Sequence, residues 1–162
     1  ANESSDLITV RKWEAENSWN NRESFDRFAM RIIAQRDQFS GFLEACRSNG
    51  KRVFAYGAST KGNVILQYCD VKSNAVPYVL ERYPPKYGLV TPGTDIAIIP
   101  EEQGRQMRPD ALLVLIWQFK EEVMRREARF LADGGKIIFL VPELEIYGAE
   151  GLVTESQFFG LA

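Results

Sequence analysis

Between Gly57 and Asn63 the chain reads Gly-Ala-Ser-Thr-Lys-Gly-Asn, set between the apolar runs Val53-Phe54-Ala55-Tyr56 and Val64-Ile65-Leu66. Small residues in a turn ahead of a helix leave backbone N–H groups uncovered, and the first helical turn has no acceptors of its own for them. The partial positive charge of the helix end then favours an anion, and Lys61 adds a full charge. Two versions of such a turn are excluded. Gly57 and Gly62 have the spacing of the Walker A glycines, but Asn63 and Val64 stand where Lys and Ser/Thr would hold phosphate and magnesium. Ala58 and Ser59 replace the second glycine of the dinucleotide fingerprint, which lets the backbone approach a pyrophosphate. The glycines alone fit a plain chain reversal over a sheet equally well.

Further residues with usable chemistry follow. Glu81-Arg82 closes the next apolar run, roughly 20 residues past the turn, where a nucleotide-binding sheet holds a ribose hydroxyl on a carboxylate; a surface pairing with Arg82 or Lys86 explains Glu81 as well. Thr91, Gly93 and Thr94 lie in a turn rich in hydroxyls and N–H groups that fits a sugar, a phosphate or nothing. Trp117 and Gln118 end an apolar run, where an aromatic stacks on a ring or simply joins the core. Glu143 follows the last run.

The elements that would position these groups alternate. Apolar positions Phe25, Phe28, Ile32, Phe39, Phe42 and Cys46 recur at steps of three and four from Asn21 to Ser48, a long amphipathic helix. Asn20 with Glu23 reads as its capping box and Asn49-Gly50 as its stop. Strands are expected at 52–56, 77–81, 112–117 and 137–141, with helices at 60–69 and 119–132. Strands that are apolar throughout are buried on both faces, so the expected fold is α/β: a Rossmann-like, doubly wound, mostly parallel sheet with helices on both faces, preceded by the long helix. In such a sheet ligands bind beyond the carboxyl ends of the strands, where all these candidate residues converge. Residues 1–20 read as a polar lead-in with Trp13 and Trp19 as anchors, 21–145 as the domain and 146–162 as a tail.

At 162 residues the chain is long enough for one core, and a net charge of −2 argues against a dedicated nucleic-acid binder. No stretch has the length of a membrane span or the pattern of a signal peptide. Cys46 and Cys69 read as buried free thiols in a reducing cytoplasm, without metal-ligand spacing. With no histidine, a Ser-His-Asp triad or imidazole metal site cannot form within this chain. The start at Ala1, without Met, fits a domain excised from a longer polypeptide and fits Met removal equally.

The blocks Tyr56-Gly57-Ala58-Ser59-Thr60-Lys61-Gly62-Asn63, Glu81-Arg82-Tyr83-Pro84-Pro85-Lys86-Tyr87-Gly88 and Thr91-Pro92-Gly93-Thr94, then Leu115-Ile116-Trp117-Gln118-Phe119, Gly134-Gly135-Lys136 and Val141-Pro142-Glu143, resemble in order the C-terminal domain of sugar C-methyltransferases. The resemblance covers roughly Phe25 to Glu145. Glu81 stands where the family usually has Asp, and Gln118 where it usually has Asn. The resemblance implies a domain that helps hold a nucleotide-activated deoxysugar against an upstream domain of the same polypeptide. That upstream domain would bind S-adenosylmethionine and carry the catalytic groups. On this reading Gly57, Ala58, Ser59, Lys61, Gly62 and Asn63 line the anion-binding turn, Glu81 and Arg82 contact the nucleotide or sugar, and Thr91, Gly93 and Thr94 shape the wall; the chain alone is inactive and holds no metal. A homo-oligomer is compatible with the sequence. Two rivals stand beside it: a free-standing NAD-binding module, favoured by Glu81, and an interaction domain without ligand, using Trp13, Trp19 and the helical stripe.

Overall fold

The computed structural model describes residues 4–19 and 21–161. It divides into two compact units, Ala1–Arg36 and Asp37–Ala162.

The first unit is helical. Helix α1 (Ser5–Glu16) is capped by the Ser4 hydroxyl, which accepts from Leu7 N–H, and buries no residue. Helix α2 (Arg22–Ser48) begins in this unit and continues beyond it. Asn21 Oδ1 accepts from Ser24 N–H at 2.9 Å, so a cap is made one residue later than the expected Asn20. Asn20 itself lies outside the described residues. The stretch read as a polar lead-in thus contains a helix, whose apolar residues Leu7, Ile8, Val10 and Trp13 are all exposed.

The second unit is built on one seven-stranded sheet. Strands β1 (Val53–Tyr56), β2 (Tyr78–Glu81), β3 (Ala97–Pro100), β4 (Ala111–Val114) and β5 (Lys136–Phe139) are parallel neighbours in the order β3-β2-β1-β4-β5. Antiparallel β6 (Glu145–Gly148) and β7 (Gly151–Val153) extend it beyond β5. Connections run through α3 (Thr60–Tyr68), α4 (Glu101–Gln106), and the pair α5 (Lys120–Arg126) and α6 (Ala128–Ala132); α7 (Glu155–Phe159) ends the chain. The switch in strand order falls between β1 and β4, and sheets of this kind bind ligands beyond the carboxyl ends of the strands at that point.

Two cores follow from this layering. One holds Phe39, Phe42, Leu43 and Cys46 of α2 with Leu66 of α3 and Phe158 of α7. The other holds Phe54, Tyr56 and Leu112 against Val123 and Leu131. β1 and β4 are buried at every position, as strands sandwiched by helices must be. Cys46 and Cys69 are buried and form no disulfide, and burial pushes the Cys46 thiol up to about 12.

Four features differ from the sequence expectation. Strand β3 and helix α4 occupy a stretch where no element was expected. Residues 146–161, read as a tail, contribute most of the β6–β7 hairpin and α7. The helix expected at 119–132 is interrupted at Glu127, which turns its buried carboxylate toward β1. The run 112–117 yields a shorter strand, because the chain turns into a 3-10 segment at Trp117–Phe119.

Candidate functional site

The turn after β1 needs glycine at two positions. Gly57 has φ 82°, and a Cβ there would meet Ile116 at 2.9 Å. Its N–H donates to Leu80 O at 2.8 Å. Helix α3 is capped by Ser59, whose hydroxyl accepts from Gly62 N–H and donates to Leu115 O, both at 2.9 Å. Gly62 lets α3 press on the end of β4, since a Cβ there would lie 2.6 Å from Leu115 Cβ. Gly62→Ala is therefore expected to lower stability by about 1–3 kcal/mol through overpacking, read as a fall in urea midpoint at unchanged slope.

What the turn offers a ligand is then limited to a few groups. The N–H groups of Thr60 and Lys61 open a nine-residue helix and have no acceptor within it. Lys61 and Arg82 are exposed, and neither forms an ion pair among the described residues. Among the described residues, Asn63 Oδ1 is buried without a hydrogen-bond partner.

Glu81 does not face the crevice with a free carboxylate. One oxygen accepts from Arg82 N–H at 2.7 Å and Tyr83 N–H at 3.0 Å; the other accepts from Ala58 N–H at 3.0 Å and Lys86 Nζ at 3.2 Å. Burial opposes its ionisation, but the Tyr83 and Arg82 amides together with Lys86 outweigh burial and hold the carboxyl below its ordinary value. Lys86 also donates to Ala58 O at 2.6 Å, so both backbone groups of Ala58 are tied to the segment after β2. The 3-10 turn Pro84–Lys86 is what folds Lys86 back to this position.

The remaining candidates are placed unevenly. Thr91 and Thr94 are buried, their hydroxyls 2.6 Å apart, and Thr91 Oγ1 also accepts from Ile96 N–H. These hydroxyls brace their own turn. Gly93, at φ 74°, lies against Gln67 of α3, whose side chain donates to Pro92 O. Trp117 is half-buried on the second core, and Gln118 is exposed beside it. Glu143 is exposed, and no described hydrogen bond or ion pair joins it to the turn. The structure thus gathers Gly57, Ala58, Ser59 and Gly62 with Glu81, and leaves Glu143 apart.

Lys86, which the sequence offered as a pairing partner of Glu81, is the second clamp on the turn. One group escaped the sequence reading. Beneath the clamp, Tyr56 OH donates to Glu127 Oε1 at 2.9 Å, and Arg105 donates to both Glu127 oxygens at 2.7 Å. Arg126 stacks over the Tyr56 ring and pairs with Glu101. Only the four-residue spacing of Glu101 and Arg105 signalled any of this in the sequence. A cleft of about 1020 Å³ also opens at the amino edge of the sheet. Several of its charges are paired internally, Arg52 with Asp110, Arg105 with Glu127 and Arg129 with Asp133.

A parallel sheet of order β3-β2-β1-β4-β5, with a glycine turn and helix N-terminus at its switch point, defines the class of Rossmann-like domains. Within that class, the family described as C-methyltransferase C-terminal domain matches residues 1–142, and the chain belongs to it. The chain is similar to the C-methyltransferase NovU of Streptomyces niveus, 32% identical over 126 residues. That alignment covers 78% of this chain and 30% of the relative, so the chain spans about a third of that protein's length. Among the described residues no helix is long and apolar enough to cross a membrane, and no group of three His, Cys, Asp or Glu could hold a metal ion.

Proposed function

We propose that this chain is the substrate-side domain of an S-adenosylmethionine-dependent C-methyltransferase that acts on a nucleotide-activated deoxysugar, and that it is inactive alone. The observation that supports this best is the start of α3. Two uncovered amides, the unpaired Lys61 and Arg82, and a buried Asn63 acceptor make a site for a phosphorylated, hydroxyl-bearing ligand. The parent enzyme's upstream domain supplies the methyl donor and the acid–base groups, and the protein works in the cytoplasm.

The residues here do not fit the methyl donor itself. An adenosine ribose in such a sheet is held by a free carboxylate after β2, whereas Glu81 already accepts from four donors. No step of the methyl transfer is assigned to this chain. The same occupancy disfavours the NAD-binding reading.

A thermal-shift titration of this chain with dTDP, a dTDP-sugar, NAD and S-adenosylmethionine tests the proposal. A ligand at about 100 times its dissociation constant adds roughly 2.7 kcal/mol. Stabilisation is expected from the thymidine nucleotides and not from NAD or the methyl donor. A response to NAD or S-adenosylmethionine alone would overturn it.

A further inference from the structure

The helical unit exposes more apolar surface than it could keep in water. Trp13 and Trp19 pack on each other with ring centroids 4.9 Å apart, yet remain 51% and 56% exposed. In α2, Phe25 and Phe28 are 63% and 55% exposed and Ile32 is half-buried. These three continue, at the same steps of three and four, the register of Phe39, Phe42 and Cys46, which are fully buried. One half of a single stripe is thus core while the other half is bare. α1, at 12 residues with none buried, is too short to persist in water by propensity alone. Large apolar side chains left exposed in this number mark an interaction site.

We propose that Phe25, Phe28 and Ile32, with the Trp13–Trp19 pair, form the docking surface for the preceding part of the parent polypeptide; this rests on the reading of the chain as one domain of a longer C-methyltransferase. Two observations choose that occupant over a second copy. The family match begins at residue 1, so the helical unit belongs to the domain as the family defines it. The aligned region is 30% of the relative, and the family is described as a C-terminal domain, so most of a relative's length precedes this unit and is tethered to it. A tethered partner acts at an effective concentration that a free copy does not reach.

Hydrogen exchange of the full-length enzyme, compared with this chain alone, tests the docking without any substrate. Amides of 5–16 and 22–36 are expected to exchange at least about tenfold more slowly in the full-length protein. The double substitution Phe25→Glu with Phe28→Glu should abolish that protection while amides of β1 and β4 keep theirs. Equal exchange in both proteins would overturn the proposal. So would protection in the isolated chain that rises with concentration alongside a dimer mass by sedimentation, which would assign the surface to a second copy. Protection in the full-length enzyme without nucleotide-sugar binding would uphold the docking and sink only the substrate reading.

Discussion

Replacing Glu127 by Gln is expected to destabilise the chain by about 3 kcal/mol, more than any surface change. The side chain is 1% exposed, and every contact it makes comes from a donor: Tyr56 OH on one oxygen, Arg105 on both. A Gln amide would turn its NH₂ toward one of those donors and remove the charge that Arg105 faces. The loss lies at the lower end of the range for a broken buried pair, because Arg105 keeps a third of its side chain in solvent and Glu101 3.5 Å away. Tyr56 immediately precedes the Gly57 turn, so the network also fixes the end of β1 against α4 and the α5–α6 junction. Urea denaturation measures the effect. Removing both charges, with Glu127→Leu and Arg105→Leu, should cost less than Glu127→Gln alone; a larger cost would show that the pair itself stabilises the fold.

The second large effect concerns Glu81. Glu81→Gln is expected to cost about 2–3 kcal/mol near neutral pH, since four donors converge on its two oxygens and an amide can satisfy only half of them. The pH dependence follows from the direction of its shift. Its carboxyl is held below the ordinary 4.5 in the folded chain, so its contribution is complete above that value and disappears as pH falls through the lower folded value. The stability gap between the natural chain and Glu81→Gln should therefore be constant above about pH 5 and close on acidification. A gap that persists unchanged to pH 3 would remove the clamp from the account.

These two carboxylates show how far the sequence could be read. The β1 turn and α3 were legible because Gly57, Ser59 and Gly62 are residues that only such a turn requires, and α2 because its apolar steps persist over seven turns. The position of Glu81 was legible too. Lys86 and Arg82 were legible as its partners, but the tie to Ala58 was not, because it depends on Pro84–Lys86 folding back over Ala58, a tertiary event with no local periodicity. Glu127 looked like one more charge on a helix, and nothing in its neighbours announced the break that turns it inward. Thr91 and Thr94 read either as ligand hydroxyls or as a plain turn, and the structure buries them with their hydroxyls against each other. The β6–β7 hairpin was hidden by brevity: strands of four and three residues joined by Ala149-Glu150, with Gly148 opposite Gly151. Those bracketing glycines are the signal that could have revealed it.

The central claim is that the crevice at Gly57–Asn63 holds the nucleotide sugar and not the methyl donor. It is tested most directly by steady-state kinetics of the intact enzyme carrying Lys61→Ala together with Arg82→Ala. The account predicts a KM for the nucleotide sugar raised by about tenfold or more, from the loss of charge-assisted contacts, with the KM for S-adenosylmethionine unchanged. An unchanged KM for the nucleotide sugar, or a rise confined to the methyl donor, would contradict it.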